Sequence, residues 1–184
     1  MSARWLTSAL AALAVAGCGQ KAASPADGGT CDDLGACAFA CGAGVDSPPF
    51  EGATHVTEPT PVVYKANPPA SGNHWPMWQE PWGAYPDGLP RERWVHNLEH
   101  GGIVLLYNCP SGCDPLVQQL TALRNSLQPD RFSVVRVLIV PDALMPRKVA
   151  AVAWNWRWQG DAYDDAALRC FIAARYDRGP ESIP

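Results

Sequence analysis

Two imidazoles four residues apart, with a carboxylate beside the second, stand in the segment Val95-His96-Asn97-Leu98-Glu99-His100-Gly101-Gly102. A third histidine, His74, lies upstream in Ser71-Gly72-Asn73-His74-Trp75, and the fourth is His55. All four histidines of the chain fall between residues 55 and 100. Neutral imidazole is a ligand for copper, zinc, iron and nickel, so histidines gathered in this way are raw material for a transition-metal site. His74, His96 and His100 are the first candidates, with His55 behind them. Met77, three residues after His74, offers a thioether that would favour Cu(I). Its competing role is packing among Trp75, Trp78 and Trp82. Each histidine also has a plainer role open to it, as a hydrogen-bonded structural residue.

Spacing decides what His96 and His100 can share. On a helix, four residues rise about 6 Å along one face, and both rings reach one ion. On a strand they span about 13 Å and cannot. Gly101-Gly102, followed by the apolar run Ile103-Val104-Leu105-Leu106-Tyr107, predicts a single helical turn or a tight loop that ends at the glycines and enters a central strand. His96-Asn97-Leu98-Glu99-His100 also matches H-x-x-E-H, the inverted zinc-peptidase pattern. That chemistry needs a stable helix, a glutamate as general base and a distant third ligand. A helix cut short at the glycines weakens it. Glu99 is then expected to orient a ligand imidazole from outside the ligand set, or to pair with an arginine.

The elements that must position these residues are legible in part. Residues 19–52 are rich in Gly, Ala, Ser, Pro and Asp, the composition of a tether. A single globular domain is expected over 52–184. Thr54–Val56 and Val62–Tyr64 read as short strands interrupted by prolines. Residues 66–93 are rich in proline and hold Trp75, Trp78 and Trp82, which predicts a long ordered loop. Asp114-Pro115 reads as N-cap and first residue of a helix running to about Leu127. Phe132–Val140 reads as a second strand and Val149–Trp158 as a third, with Trp154, Trp156 and Trp158 on one face and Asn155 and Arg157 on the other. That tryptophan row is either a stacking platform or a core face. Asp164 or Asp165 caps a last helix that stops before Gly179-Pro180. The order predicts an α+β fold: a small, mostly antiparallel sheet with helices packed on one face.

Pro68-Pro69-Ala70-Ser71-Gly72-Asn73-His74, Gly83-Ala84-Tyr85 and Val95–Gly102, with His55-Val56 and Tyr107, together resemble the bacterial family catalogued as domain of unknown function 3105. The resemblance spans about residues 52–140. It implies no activity, since the family is defined without one, but it implies that His55, His74, His96 and His100 belong to one pattern. Cys109 and Cys113 lie outside that pattern. Their C-x-x-x-C spacing, at a predicted helix N-terminus, is similar to that of copper-handling assembly factors of thioredoxin fold. The alternative is a structural disulfide, between these two or with Cys170.

The first residues predict export. Arg4 precedes the short apolar run Leu6–Ala16, too short to span a bilayer. Val15-Ala16-Gly17-Cys18 resembles a lipobox, in which Cys18 becomes the lipidated first residue after residues 1–17 are removed. The expected location is the bacterial cell envelope, on the outer membrane or facing the periplasm, with the membrane reached through lipid on Cys18. The remaining six cysteines, Cys31, Cys37, Cys41, Cys109, Cys113 and Cys170, are an even number and predict disulfides. Tying Cys31, Cys37 or Cys41 to the domain would pin residues 18–51 as a stapled arm. The formal charge of −4 lacks the basic footprint of a nucleic-acid binder.

These readings lead to an exported lipoprotein that binds copper or zinc through a histidine cluster, in envelope metal handling. A metal-dependent enzyme would use the same histidines with an open coordination position. A non-catalytic interaction module would use the tryptophan-rich loop and leave the histidines structural.

Overall fold

The computed structural model describes residues 40–110, 112–181 and 183. Its centre is a five-stranded sheet: β1 (Val45–Asp46), β2 (Ile103–Tyr107), β3 (Val137–Pro141), β4 (Val149–Ala153) and β5 (Trp156–Gly160). The spatial order is β1-β5-β4-β2-β3. Only β2 and β3 run parallel; the other pairs are antiparallel. Three helices complete the α+β fold: α1 (Arg91–Glu99), α2 (Asp114–Asn125) and α3 (Asp165–Arg175). A parallel pair needs a crossover connection, and α2 supplies it between β2 and β3.

β2 and β4 are buried along their whole length, as continuous apolar strands covered on both faces must be. Alternation divides their side chains between two cores. Ile103, Leu105 and Tyr107 of β2 join Leu120 and Leu123 of α2 and Leu168, Phe171 and Ile172 of α3. Val104 and Leu106 point the other way, onto Trp94, Val95 and Leu98 of α1. The two later helices thus share one face as expected. The opposite face is covered by α1, where the sequence suggested only a turn, and by the proline- and tryptophan-rich loop.

Several elements differ from their sequence reading. Val149–Trp158 is not one strand but the hairpin β4–β5, whose two-residue turn is Trp154-Asn155, with Asn155 at φ 62°. Asparagine tolerates that left-handed conformation, so the chain reverses inside an apolar run. The tryptophan row is therefore split. Trp154 packs in the α1 core, whereas Trp156 and Trp158 pack in the other. β3 starts at Val137, because residues 130–136 form turns closed by Ser133 N–H donating to the Asp130 carbonyl. Thr54–Val56 is reduced to a single bridge, His55 with His74, and Val62–Tyr64 is loop. Cys113, not Asp114, occupies the N-cap of α2; Asp164 does cap α3, accepting from the Ala167 N–H.

The arm joins the sheet. Val45 and Asp46 pair with Trp158 and Arg157, and Arg157 forms a two-pronged ion pair with Asp46. Cys41 is bonded to Cys170 on α3, and Cys109 to Cys113. Cys18, Cys31 and Cys37 lie outside the described residues. The Cys41–Cys170 link spans a sequence separation of 129. Chain-entropy loss on closing a loop of that size predicts that Cys170→Ser lowers the unfolding free energy by about 5 kcal/mol. Denaturant titration under oxidising conditions would read this as a lower midpoint. An unchanged midpoint would show that the arm docks without help from the bond.

Candidate metal centre

α1 is the element on which the site is built. Its residues Trp94, Val95 and Leu98 face the core, and a second face turns polar side chains, Asn97 among them, toward the loop. His96, Glu99 and His100 are spaced three and four apart on that second face, the spacing that stacks side chains on a helix. The helix is longer toward its N-terminus than predicted but ends where the glycines require. Gly101, at φ 82°, donates its N–H to the Leu98 carbonyl, and Gly102 donates to the Asn97 carbonyl. This is the Schellman arrangement, which needs a residue free to adopt positive φ. A Cβ on Gly102 would lie 2.4 Å from the Trp82 ring, so a side chain is excluded there.

The loop is fastened to α1 by polar contacts. Asn97 accepts from the Gln79 N–H at 2.8 Å and donates to the Gln79 carbonyl at 3.0 Å. Glu92 accepts from the Val62 N–H at 2.9 Å, and its carbonyl accepts from Trp75 N–H at 3.1 Å. A short parallel pairing sets His55 beside His74: Val56 N–H donates to the His74 carbonyl, and His74 N–H to the Thr54 carbonyl. The four rings converge as a result. Ring centroids are 4.9 Å apart for His55 and His74, and 4.7 Å for His55–His96, His74–His96 and His96–His100.

Two of the rings are held in a defined tautomer. His74 Nδ1 lies 2.8 Å from the Gly72 carbonyl and His96 Nδ1 2.7 Å from the Trp75 carbonyl. A carbonyl only accepts, so each Nδ1 carries the proton and each neutral ring presents a bare lone pair at Nε2. Such backbone-tied imidazoles are the usual form of a histidine ligand. His74 Nε2 then lies 2.9 Å from Glu99 Oε2, the distance of an ion pair when the ring carries a second proton. Two electron-rich atoms at that distance repel unless a proton or a metal cation is shared between them.

Donor atoms of His55, His74, His96 and Glu99 all lie within 4.8 Å of one another, and so do those of His96, His100 and Glu181. Ligands about 2 Å from one tetrahedral ion stand about 3.3 Å apart, so side-chain shifts on the order of an ångström would close the first group around an ion. His74, His96, Glu99 and His100 are buried, whereas the His55 side chain is 46% exposed and forms the mouth. Trp78 meets His100 at a tilt and His96 edge-on, at 4.5 and 5.5 Å between ring centroids, and Trp154 meets His74 edge-on at 6.2 Å.

The histidines expected from sequence are thus brought together, His55 included. Met77, three residues after His74, is 57% exposed. Glu99 sits inside the first group rather than behind it, because the third residue after His96 returns to the same helix face. Sequence reasoning missed Glu181, whose carboxylate lies 3.3 Å from His100 Nε2. It arrives from the far end of the chain, with no periodic or motif signal to connect it with α1.

Burial, followed by the neighbouring His100, His74 and His55, pushes the His96 ring down to about 4, against an opposing bond to Trp75. Burial also pushes the Glu99 carboxyl up, opposed by His74. The unfolded chain protonates His96 near 6.5, so between that pH and about 4 it binds more protons than the folded one. His96 therefore contributes stability that is complete above pH 6.5 and is lost progressively as pH falls to about 4. Two-dimensional NMR of the imidazole nitrogens should show His96 neutral, with the proton on Nδ1, down to that pH. Protonation near 6.5 would contradict the burial that the fold imposes.

No curated protein and no solved structure matches this chain. The model of one family does, over residues 55–183, which takes in every member of both donor groups and extends well past the segment whose motifs carried the resemblance. The chain accordingly belongs to the family described as protein of unknown function (DUF3105).

Proposed function

We propose that this protein binds a single divalent transition-metal ion through His55, His74, His96 and Glu99. The observation that carries the reading is the facing of His74 Nε2 and Glu99 Oε2, with the histidine proton committed elsewhere. Three imidazoles and one carboxylate are borderline donors, suited to zinc or Cu(II). The proposed set contains no sulfur: Cys41, Cys109, Cys113 and Cys170 are in disulfides, and Met77 is 57% exposed. That argues against Cu(I), which a thioether or thiolate would favour. Glu99, one of four donors, argues for a ligand role rather than the general base of a peptidase. Solvent reaches the site through His55, which suits uptake and release of the ion. The enzyme reading would need a substrate cleft at that mouth.

Metal analysis of purified protein, followed by competition with a chelator, tests this. The wild type should hold one equivalent of zinc or copper. His96→Ala should weaken binding beyond the roughly 10–100-fold typical of losing an outer partner. Met77→Leu should leave affinity unchanged. Equal metal content and affinity in wild type and His96→Ala would end the metal reading.

The same proposal places the protein in the bacterial envelope, anchored by lipid on Cys18. Disulfides at Cys41–Cys170 and Cys109–Cys113 support an oxidising compartment, and no described helix is long and apolar enough to cross a membrane. Detergent phase partition of the full chain expressed in a bacterium should put it in the detergent phase, and Cys18→Ala should move it to the aqueous phase. Partition of both forms into water would remove the anchor.

A further inference from the structure

The two donor groups meet at one atom. His96 belongs to both, yet its Nδ1–H is committed to the Trp75 carbonyl, so it has one lone pair to offer, at Nε2. One such nitrogen binds one ion at a time, and the two groups cannot both be completed. The outer member of each group is the solvent-exposed one: the side chains of His55 and Glu181 are 46% and 42% exposed. Between them His74, His96 and His100 are buried. Each group also holds one carboxylate, so an ion moving from one to the other keeps a negative partner.

Glu181 is held in place by the backbone. Its N–H donates to the Glu99 carbonyl at 3.1 Å. Two residues earlier the tail crosses the end of α1 so closely that a Cβ on Gly179 would lie 2.1 Å from the Glu99 oxygen and 2.2 Å from the Gly101 nitrogen. Only glycine permits that approach. Asp177 N–H donates to the Gly101 carbonyl at 2.8 Å, a second tie between tail and helix end. The Glu181 carboxylate is thereby set opposite His100 rather than left on a loose terminus.

We infer that the two groups are alternative stations for one divalent ion, which passes between them by ligand exchange at His96 Nε2. The inference rests on the metal-binding reading above. In the transfer, the bonds to His55, His74 and Glu99 break and bonds to His100 Nε2, Glu181 Oε2 and one solvent water form, while the bond to His96 persists. The ion's oxidation state does not change, and both departing imidazoles leave as neutral rings. Trp78 lies against both the His96 and His100 rings.

Cu(II) added at one equivalent, followed by electron paramagnetic resonance and equilibrium dialysis, tests the inference. The wild type should saturate at one ion per chain and give two superimposed signals. Glu181→Gln, at a partly exposed position, should leave only the signal of the His55–His74–His96–Glu99 station, as should His100→Ala. His74→Ala should enrich the other signal. Gly179→Ala should behave like Glu181→Gln, because it displaces the tail. Two ions per wild-type chain would overturn the inference, and so would a wild-type spectrum superimposable on that of Glu181→Gln. A wild type that binds no Cu(II) or zinc would instead overturn the metal-binding reading itself.

Discussion

Glu99 Oε2 stands 2.9 Å from His74 Nε2 in a region where both side chains are almost wholly withdrawn from solvent. Burial of a carboxylate disfavours its charged form, and burial of an imidazole disfavours its protonated one. With three more histidine rings packed around the pair, the arrangement gathers unshared electron density without the water that would normally solvate it. A shared proton relieves one contact. A coordinated cation relieves the contacts of the whole group at once. The rest of the fold can be understood as the means of keeping these side chains together against their mutual repulsion.

α1 does most of that work because it has two different faces. One is apolar and packs on β2 and β3, which fixes the helix as part of the core. The other carries His96, Asn97, Glu99 and His100, and Asn97 and Glu92 fasten the loop that brings His74. The C-terminal end of the helix is tied down from below. Arg136, fully buried, donates to the His100 carbonyl and pairs with Asp130 and Asp177. A buried guanidinium is tolerated only when anions and carbonyls surround it. Through Asp177 the same arginine reaches the segment that presents Glu181.

The family match and the folded core agree in extent. It begins at His55, the first histidine, and ends two residues after Glu181. Residues 41–46 lie before it, yet they add the edge strand β1 and the Cys41–Cys170 bond. The arm therefore reinforces the domain from the face of the sheet opposite the histidine cluster, since Cys170 belongs to the helix layer of α2 and α3.

Local chemistry made much of this readable from the residues alone. Gly101-Gly102 marked the end of α1 because only a residue tolerant of positive φ closes that cap. The continuous apolar run of β2 marked a strand buried on both faces, and the i, i+4 spacing of His96 and His100 put both rings on one side. His55 and His74 emerged as candidates by residue type. The reading failed where contacts between distant segments overrode local pattern. A two-residue turn at Trp154-Asn155 sat unseen inside an apolar run, and residues 91–95 formed helix because the core gave Trp94 and Val95 a place to bury. By itself the sequence determined which donors exist, where the capped helix ends and which strands are central. Only tertiary structure decided that Glu99 would face His74 and that Glu181 would close on His100. Those outcomes depend on separations of tens of residues closed by packing and backbone hydrogen bonds, and no local periodicity encodes them.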